Sequence, residues 1–184
     1  MYTFTAGTPL GPMQAAAEDD ALRGLWFIGQ KYFPPGAETW LNAPDYPVFV
    51  FLEAWLKDYF ARKNPRLTIP LSPRGTSFQQ AVWKLLLEIP YGTTTSYGAI
   101  AARLASANNR STGETSRSAA QAVGGAVGHN PISLLIPCHR VLGANGSLTG
   151  YAGGLEKKRA LLELEGIIVP LPKAPHQPDL SSFR

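Results

Sequence analysis

The segment Pro65-Arg66-Leu67-Thr68-Ile69-Pro70-Leu71-Ser72-Pro73 constrains this chain more than any other feature. Each of its three prolines lacks an amide donor and fixes its own φ, so no helix or central strand survives there. It reads as an extended connector and puts a domain boundary near residue 73 of the 184-residue chain. The part before it is mixed α/β. Thr8-Pro9-Leu10-Gly11-Pro12 predicts a turn, and residues 21–29 predict a strand. Residues 46–62 predict a helix, because Phe49, Leu52, Trp55, Leu56 and Tyr59 recur at spacings of three and four.

After the connector the pattern turns helical. Residues 77–88 carry Phe78, Val82, Leu85 and Leu86 on one stripe, with Thr76 or Ser77 as N-cap. Pro90-Tyr91-Gly92 ends that helix, and Thr93-Thr94-Thr95 is extended. Ser96 then caps a second helix bearing Tyr97, Ile100, Ala101 and Leu104. A polar stretch, 106–116, separates it from a third helix over 117–128, with Ala119, Val123 and Ala126 on one face. Two short neighbouring helices fit a helix-turn-helix, although this connection exceeds the usual turn of about 3–4 residues. Residues 167–184, with Pro170, Pro172, Pro175 and Pro178, read as an extended tail.

Cys138 is the sole cysteine, so the chain forms no internal disulfide and builds no cysteine zinc site. His129, His139 and His176 lack metal-ligand spacing, and neither metal nor cofactor is expected. A net charge of +4 and a pI near 9.3 are compatible with a polyanion but do not identify one. No apolar run approaches the roughly eighteen residues a membrane span needs. Residues 1–5 lack the basic flank and apolar stretch of a signal peptide, so a cytoplasmic, monomeric protein is expected.

Around the cysteine the chain reads Asn130-Pro131-Ile132-Ser133-Leu134-Leu135-Ile136-Pro137-Cys138-His139-Arg140-Val141. Leu134 to Ile136 predicts a short buried strand that Pro137 terminates, leaving Cys138 at its end. A cysteine so placed serves as a small buried hydrophobe or as a nucleophile. An imidazole and a guanidinium alongside are expected to lower the thiol pKa, and the thiolate is the reactive form.

Pro137-Cys138-His139-Arg140-Val141 resembles the signature of the O6-alkylguanine-DNA alkyltransferases, the methylated-DNA–protein-cysteine methyltransferases. The resemblance extends, in the family's order, over roughly residues 75 to 166. Thr76-Ser77-Phe78-Gln79-Gln80-Ala81-Val82-Trp83 resembles the opening of the family's C-terminal domain. Ala122-Val123-Gly124-Gly125-Ala126 and Asn130-Pro131-Ile132 resemble the end of its recognition helix and its hinge. Residues 146–154 resemble its guanine-pocket loop, and residues 161–166 its closing helix. Thr8-Pro9-Leu10-Gly11 adds a similarity near the N-terminus.

The resemblance implies an α/β, ribonuclease-H-like N-terminal domain (1–73). It also implies a mainly α C-terminal domain (74–166) bearing a helix-turn-helix of the winged-helix type. The implied function is DNA repair: one irreversible transfer of an alkyl group from O6-alkylguanine, or O4-alkylthymine, in double-stranded DNA to Cys138. The target nucleotide must leave the base stack to be reached. Cys138 is implied as acceptor, His139 as base through a water, Glu165 as the group holding the other imidazole nitrogen, and Asn130 as the hinge brace. Tyr97 is implied to contact the flipped base, and Val141, Tyr151, Ala152, Gly153 and Ser133 to shape its pocket. Arg117, Gln121, Gly124 and Gly125 fall on the DNA-reading helix. Arg140 is read as structural.

Two positions depart from the family pattern. Gln121 stands nine residues before Asn130, where the family usually carries an arginine that fills the gap left by the flipped base. Ser133 stands where some members carry a second proline, which predicts a roomier pocket and larger tolerated alkyl groups. A thiol hydrolase built on Cys138, His139 and Glu165 is a rival reading that leaves the helix pair and the Gly-Tyr-Ala-Gly-Gly loop without a role. A non-catalytic lesion sensor would not need Cys138, and a transcriptional sensor would need further cysteines.

Overall fold

The computed structural model describes residues 1–107 and 117–169. Strands β1 (Tyr2–Ala6), β2 (Met13–Glu18) and β3 (Ala21–Phe27) form an antiparallel meander, and β4 (Leu41–Asn42) adds a parallel edge to β1. The β2–β3 hairpin turns on Asp19 and Asp20, at φ 51° and 56°. Positive φ at both loop residues lets a two-residue turn follow the strand twist. Gly24 in β3 is required by packing: a Cβ there would lie 1.7 Å from the Trp26 ring, which folds back over it.

Helix α1 (Pro47–Phe60) begins with proline in its first turn, where the missing amide costs no helical hydrogen bond. Its face of Phe49, Leu52, Leu56 and Tyr59 is buried with Met13, Ala15 and Leu25 of the sheet. Each such side chain contributes about 1.5–3 kcal/mol of burial free energy.

Past the proline segment lie α2 (Ser77–Leu87), β5 (Thr95–Ser96), α3 (Tyr97–Ala107), α4 (Arg117–Gly128), β6 (Val141–Leu142) and α5 (Leu155–Leu164). Thr76 caps α2 in a reciprocal box with Gln79. The buried face of α2 is Val82, Trp83 and Leu86, whereas Phe78, expected on that stripe, is 43% exposed. The Trp83 indole turns the face, donating to Ala126 O of α4 at 2.9 Å. Ser96 Oγ accepts from Ala99 N at 3.2 Å and caps α3 as expected. The polar segment ahead of α4 lies outside the described residues over 108–116, and the tail over 170–184.

The two halves share one core, in which Met13, Leu25 and Leu52 pack with Val82, Ile132 and Leu161. They are also joined along the outer edge of β3. Leu22 exchanges hydrogen bonds with Pro70 and Ser72, and Leu25 with Pro131 and Ser133, all at 2.8 Å. The strand expected over Leu134–Ile136 is not formed. Leu134 adopts φ 68°, Ile136 N bonds Ile132 O at 3.1 Å, and the segment closes as a buried turn. A continuous apolar run reports burial, not extension, and here the turn brings the chain back toward Asn130.

Candidate functional site

Asn130 organises the turn before the cysteine. Its Oδ1 accepts from Ile132 N at 3.0 Å, while Nδ2 donates to Ile136 O at 2.8 Å and to Cys138 Sγ at 3.1 Å. One buried amide therefore closes both ends of the turn and also touches the thiol. Cys138 opens a short 3₁₀ turn, Cys138–Arg140, rather than ending a strand, and is 5% exposed. The expectation that His139 and Arg140 depress its pKa is not met. Burial pushes the Cys138 thiol up, and the opposing pulls come from the Asn130 hydrogen bond, the Lys158 charge and the backbone amides of Cys138 and His139, with neither the imidazole nor the guanidinium among them. Arg140 is turned away, to Glu165 and to Ile89 O at 2.6 Å.

His139 is wholly buried, with Nε2 at 2.8 Å from Glu165 Oε1 and Nδ1 without a hydrogen-bond partner among the described residues. A carboxylate only accepts, so Nε2 carries the proton and Nδ1 presents a lone pair. Burial lowers the His139 pKa against the pull of Glu165. Burial alone would raise the Glu165 carboxyl, but hydrogen bonds and charge from His139 and Arg140 hold it at about 2. Glu165 caps the end of α5 and gathers five donors: Tyr59 Oη, His139 Nε2, Arg140 Nε and Nη2, and Gly92 N. Gly166 follows at φ 84°, so a left-handed helix stop aims the carboxylate inward.

The loop after β6 is fastened by a residue that the sequence did not mark. Lys158 in α5 is wholly buried, and its Nζ donates to Val141 O at 2.6 Å, Thr149 O at 2.5 Å and Gly150 O at 3.3 Å. Burial lowers its pKa to about 8. Tyr97 opens α3 directly after β5, whose Thr95 pairs with Val141 of β6, and its hydroxyl donates to the same loop at Thr149 O, 3.2 Å. Ala152 O accepts from Lys31 N at 3.0 Å, so the N-terminal half also holds the loop. A Cβ at Gly153 would meet Tyr151 at 2.8 Å and Phe27 at 3.0 Å, which explains glycine there. Among the described residues the Tyr151 hydroxyl is buried without a hydrogen-bond partner; burial pushes its pKa up, the Cys138 charge adds to this and Ser133 opposes it. Ser133 is itself buried and spends its amide on Leu25 O.

On α4, Arg117, Gln121 and Gly125 form an exposed stripe at intervals of four. Gly124 packs under the Tyr97 ring, where a Cβ would meet ordinary contact at 3.7 Å, and Gly125 has open space. Packing between helices therefore demands glycine at neither position. A cavity of about 120 Å³ lies behind the cysteine turn among Trp55, Tyr59, Leu67, Pro137 and Arg140, and Cys138 does not line it. Among the described residues no group of three His, Cys, Asp or Glu is placed to hold a metal, and no helix is long and apolar enough to cross a membrane.

Two family models account for nearly the whole chain. Residues 1–73 match the ribonuclease-like domain of 6-O-methylguanine DNA methyltransferase, and residues 77–167 match its DNA binding domain. The chain belongs to the 6-O-methylguanine DNA methyltransferase family. A methylated-DNA–protein-cysteine methyltransferase of Mycobacterium tuberculosis is 45% identical over 161 residues, covering 88% of this chain and 90% of that protein. One of Haemophilus influenzae is 41% identical over 167 residues, covering 90% and 86%. Among solved structures, M. tuberculosis OGT in complex with DNA aligns with a TM-score of 0.77 at 42% identity, covering 90% of this chain and 92% of that one. An O6-methylguanine DNA methyltransferase from Methanococcus jannaschii aligns with a TM-score of 0.59 at 27% identity, covering 94% and 99%.

The methyltransferase architecture is two-domain, a ribonuclease-like N-terminal part and a helical DNA-binding part. In this member three residues outside the expected set reach the site: Tyr59 from α1, Gly92 through its amide, and Lys158 from α5. The first was expected only as part of an apolar helix face, and the other two carried no signal.

Proposed function

We propose that Cys138 is the acceptor for the alkyl group, with His139, Glu165 and Asn130 as its machinery. The chain repairs DNA by moving the alkyl group of O6-alkylguanine to its own cysteine, once per molecule. The thiol proton passes to His139 Nδ1 through a bridging water, and Glu165 steadies the imidazole through Nε2. The sulfur then bonds the alkyl carbon in line as the O6–carbon bond breaks. The electron pair returns to guanine, which takes up a proton. The observation that carries this reading is a thiol held by Asn130 at 3.1 Å, next in the chain to a buried His139 whose Nδ1 has no hydrogen-bond partner among the described residues. The thiol stays protonated at rest because burial raises it, so deprotonation belongs to the reaction step.

The remaining assignments follow the same reading. Helices α3 and α4 act as a winged-helix-type reading unit, with Arg117, Gln121, Gly124 and Gly125 toward duplex DNA. Tyr97 contacts the flipped nucleotide, and Val141, Ser133, Tyr151, Ala152 and Gly153 line its pocket. Val141 O keeps one lone pair for the base beside its bond from Lys158. Domains are taken as 1–73 and 74–166, with 167–184 as a tail, in a monomeric cytoplasmic protein. Incubation with a duplex carrying one O6-methylguanine, followed by intact mass and peptide mapping, tests the assignment. One methyl on Cys138, absent in Cys138→Ser, is the expected result. Binding without transfer would favour a lesion sensor, and turnover of esters or peptides a thiol hydrolase.

A further inference from the structure

Tyr59 is the one side chain of the N-terminal ribonuclease-like part that bonds directly to a proposed catalytic group among the described hydrogen bonds. It sits on α1 and is 1% exposed. Its hydroxyl donates to Glu165 Oε1 at 2.7 Å, the oxygen that also takes His139 Nε2 at 2.8 Å, and it lies 3.4 Å from that nitrogen itself. Trp55 stacks on its ring at 5.1 Å and Tyr91 meets it edge-on at 6.1 Å, so the hydroxyl has little freedom to point elsewhere. We propose that Tyr59 is a positioning residue for alkyl transfer, in which the hydroxyl shares Glu165 Oε1 with His139 and thereby limits how strongly Glu165 holds the imidazole proton. This rests on the assignment of Cys138 as acceptor and His139 as base.

The physical reason is competition for one oxygen. A carboxylate that receives fewer hydrogen bonds keeps more charge, and it stabilises a neighbouring imidazolium better. The charged and titratable groups around His139 are Glu165 and Lys158 from α5 and its end, Arg140 and Cys138 beside it, and Tyr59 from α1. Tyr91 also senses Glu165. Arg140 and Lys158 oppose imidazolium formation, Glu165 favours it, and Tyr59 weakens Glu165. Tyr59 stays protonated throughout, since burial and the Glu165 charge raise its pKa far above the usual tyrosine range. It acts as a permanent donor.

The sign follows directly. His139 must be neutral to accept the thiol proton, so transfer slows as pH falls through its pKa. Tyr59→Phe keeps the ring and its stacking but removes one of the three donors on Glu165 Oε1, leaving His139 Nε2 and Arg140 Nη2, which raises the His139 pKa. The acid limb of the single-turnover rate therefore moves to higher pH, by on the order of half a unit. Trp55→Phe disturbs the same packing without touching Glu165 and is expected to leave the limb in place. The experiment is a pH profile of methyl transfer from an O6-methylguanine duplex for wild type and both variants, with the modified peptide mapped each time. An acid limb that stays put in Tyr59→Phe overturns the proposal, and so does an equal shift in Trp55→Phe. Alkyl mapped outside Cys138 in wild type would instead sink the underlying site assignment, and the proposal with it.

Discussion

Replacing Lys158 with methionine separates what holds the fold from what holds the pocket. The side chain is wholly buried, and its pKa falls from 10.5 to about 8. At about 1.4 kcal/mol per unit, keeping the charge inside costs roughly 3–4 kcal/mol, which Lys158→Met relieves. Against this stands the loss of three hydrogen bonds from the ammonium. Thr149 and Gly150 are exposed, and their carbonyls also face the Tyr97 hydroxyl at 3.2 and 3.4 Å, so water and Tyr97 satisfy them. Only Val141 O is stranded in the core, at a cost of about 1–3 kcal/mol. The two effects nearly cancel, and urea unfolding should place the variant within about 2 kcal/mol of wild type. Its stability should also lack the rise that wild type gains between pH 8 and 10.5, where the unfolded lysine binds more protons than the folded one. Activity does not cancel. The loop over 149–153 loses its tie to Val141, and displacements near 1 Å cost about 100-fold in rate. Rapid-quench transfer from an O6-methylguanine duplex should therefore slow by roughly 10- to 100-fold. A variant destabilised by more than about 4 kcal/mol yet transferring at the wild-type rate would refute the reasoning and make Lys158 a structural peg.

Four further outcomes are expected. Gln121→Arg should tighten duplex binding and steepen its salt dependence by about one unit of slope, and an unchanged titration would remove this face of α4 from the DNA contact. Benzyl should leave O6-benzylguanine faster here than in relatives with proline at the Ser133 position, and equal or slower removal counts against a roomier pocket. Methylated protein should melt about 2–8 °C below fresh protein in calorimetry, because the new methyl at a 5% exposed sulfur crowds the Asn130 amide and weakens its bond to that sulfur. Identical melting would mean that the Asn130–sulfur bond contributes nothing to stability. Glu165 is held at about 2, so it contributes stability that is present above about 4.5 and lost as pH falls toward 2. Glu165→Gln should flatten that acid loss in unfolding midpoints.

The helices were legible because their apolar spacing and caps are local. Ser96 and the Phe49–Tyr59 face read correctly from sequence alone, and Thr76 was one of two candidate caps for α2. Asn130 was legible as a turn former, though its reach to Ile136 O and Cys138 Sγ depends on the turn closing. Leu134–Ile136 misled because a run of apolar residues looks the same in a strand and in a buried turn, and only Leu134 at φ 68° distinguishes them. Neighbours in sequence also proved poor guides to the field at the thiol: Arg140 lies two residues away but serves Glu165, while Lys158, twenty residues on, acts on Cys138. Lys158 stands in the charged run Glu156-Lys157-Lys158-Arg159, where nothing local marks it as the buried one. Tyr59 was read for its ring, because nothing nearby in the chain announces a partner at Glu165.

The hydrogen bonds along β3 bear on how the chain is made. Leu22 can be satisfied once Ser72 has emerged from the ribosome, but Leu25 waits for Pro131 and Ser133. At roughly 5–20 residues per second the N-terminal sheet spends several seconds with part of one edge unpaired. An open edge recruits strands from other chains. A truncated product ending near residue 73 would keep that edge open permanently, so such fragments should self-associate more than the full chain. The segment that carries the cysteine is thus also the one that seals the sheet, while the site itself is completed only when Lys158 and Glu165 follow.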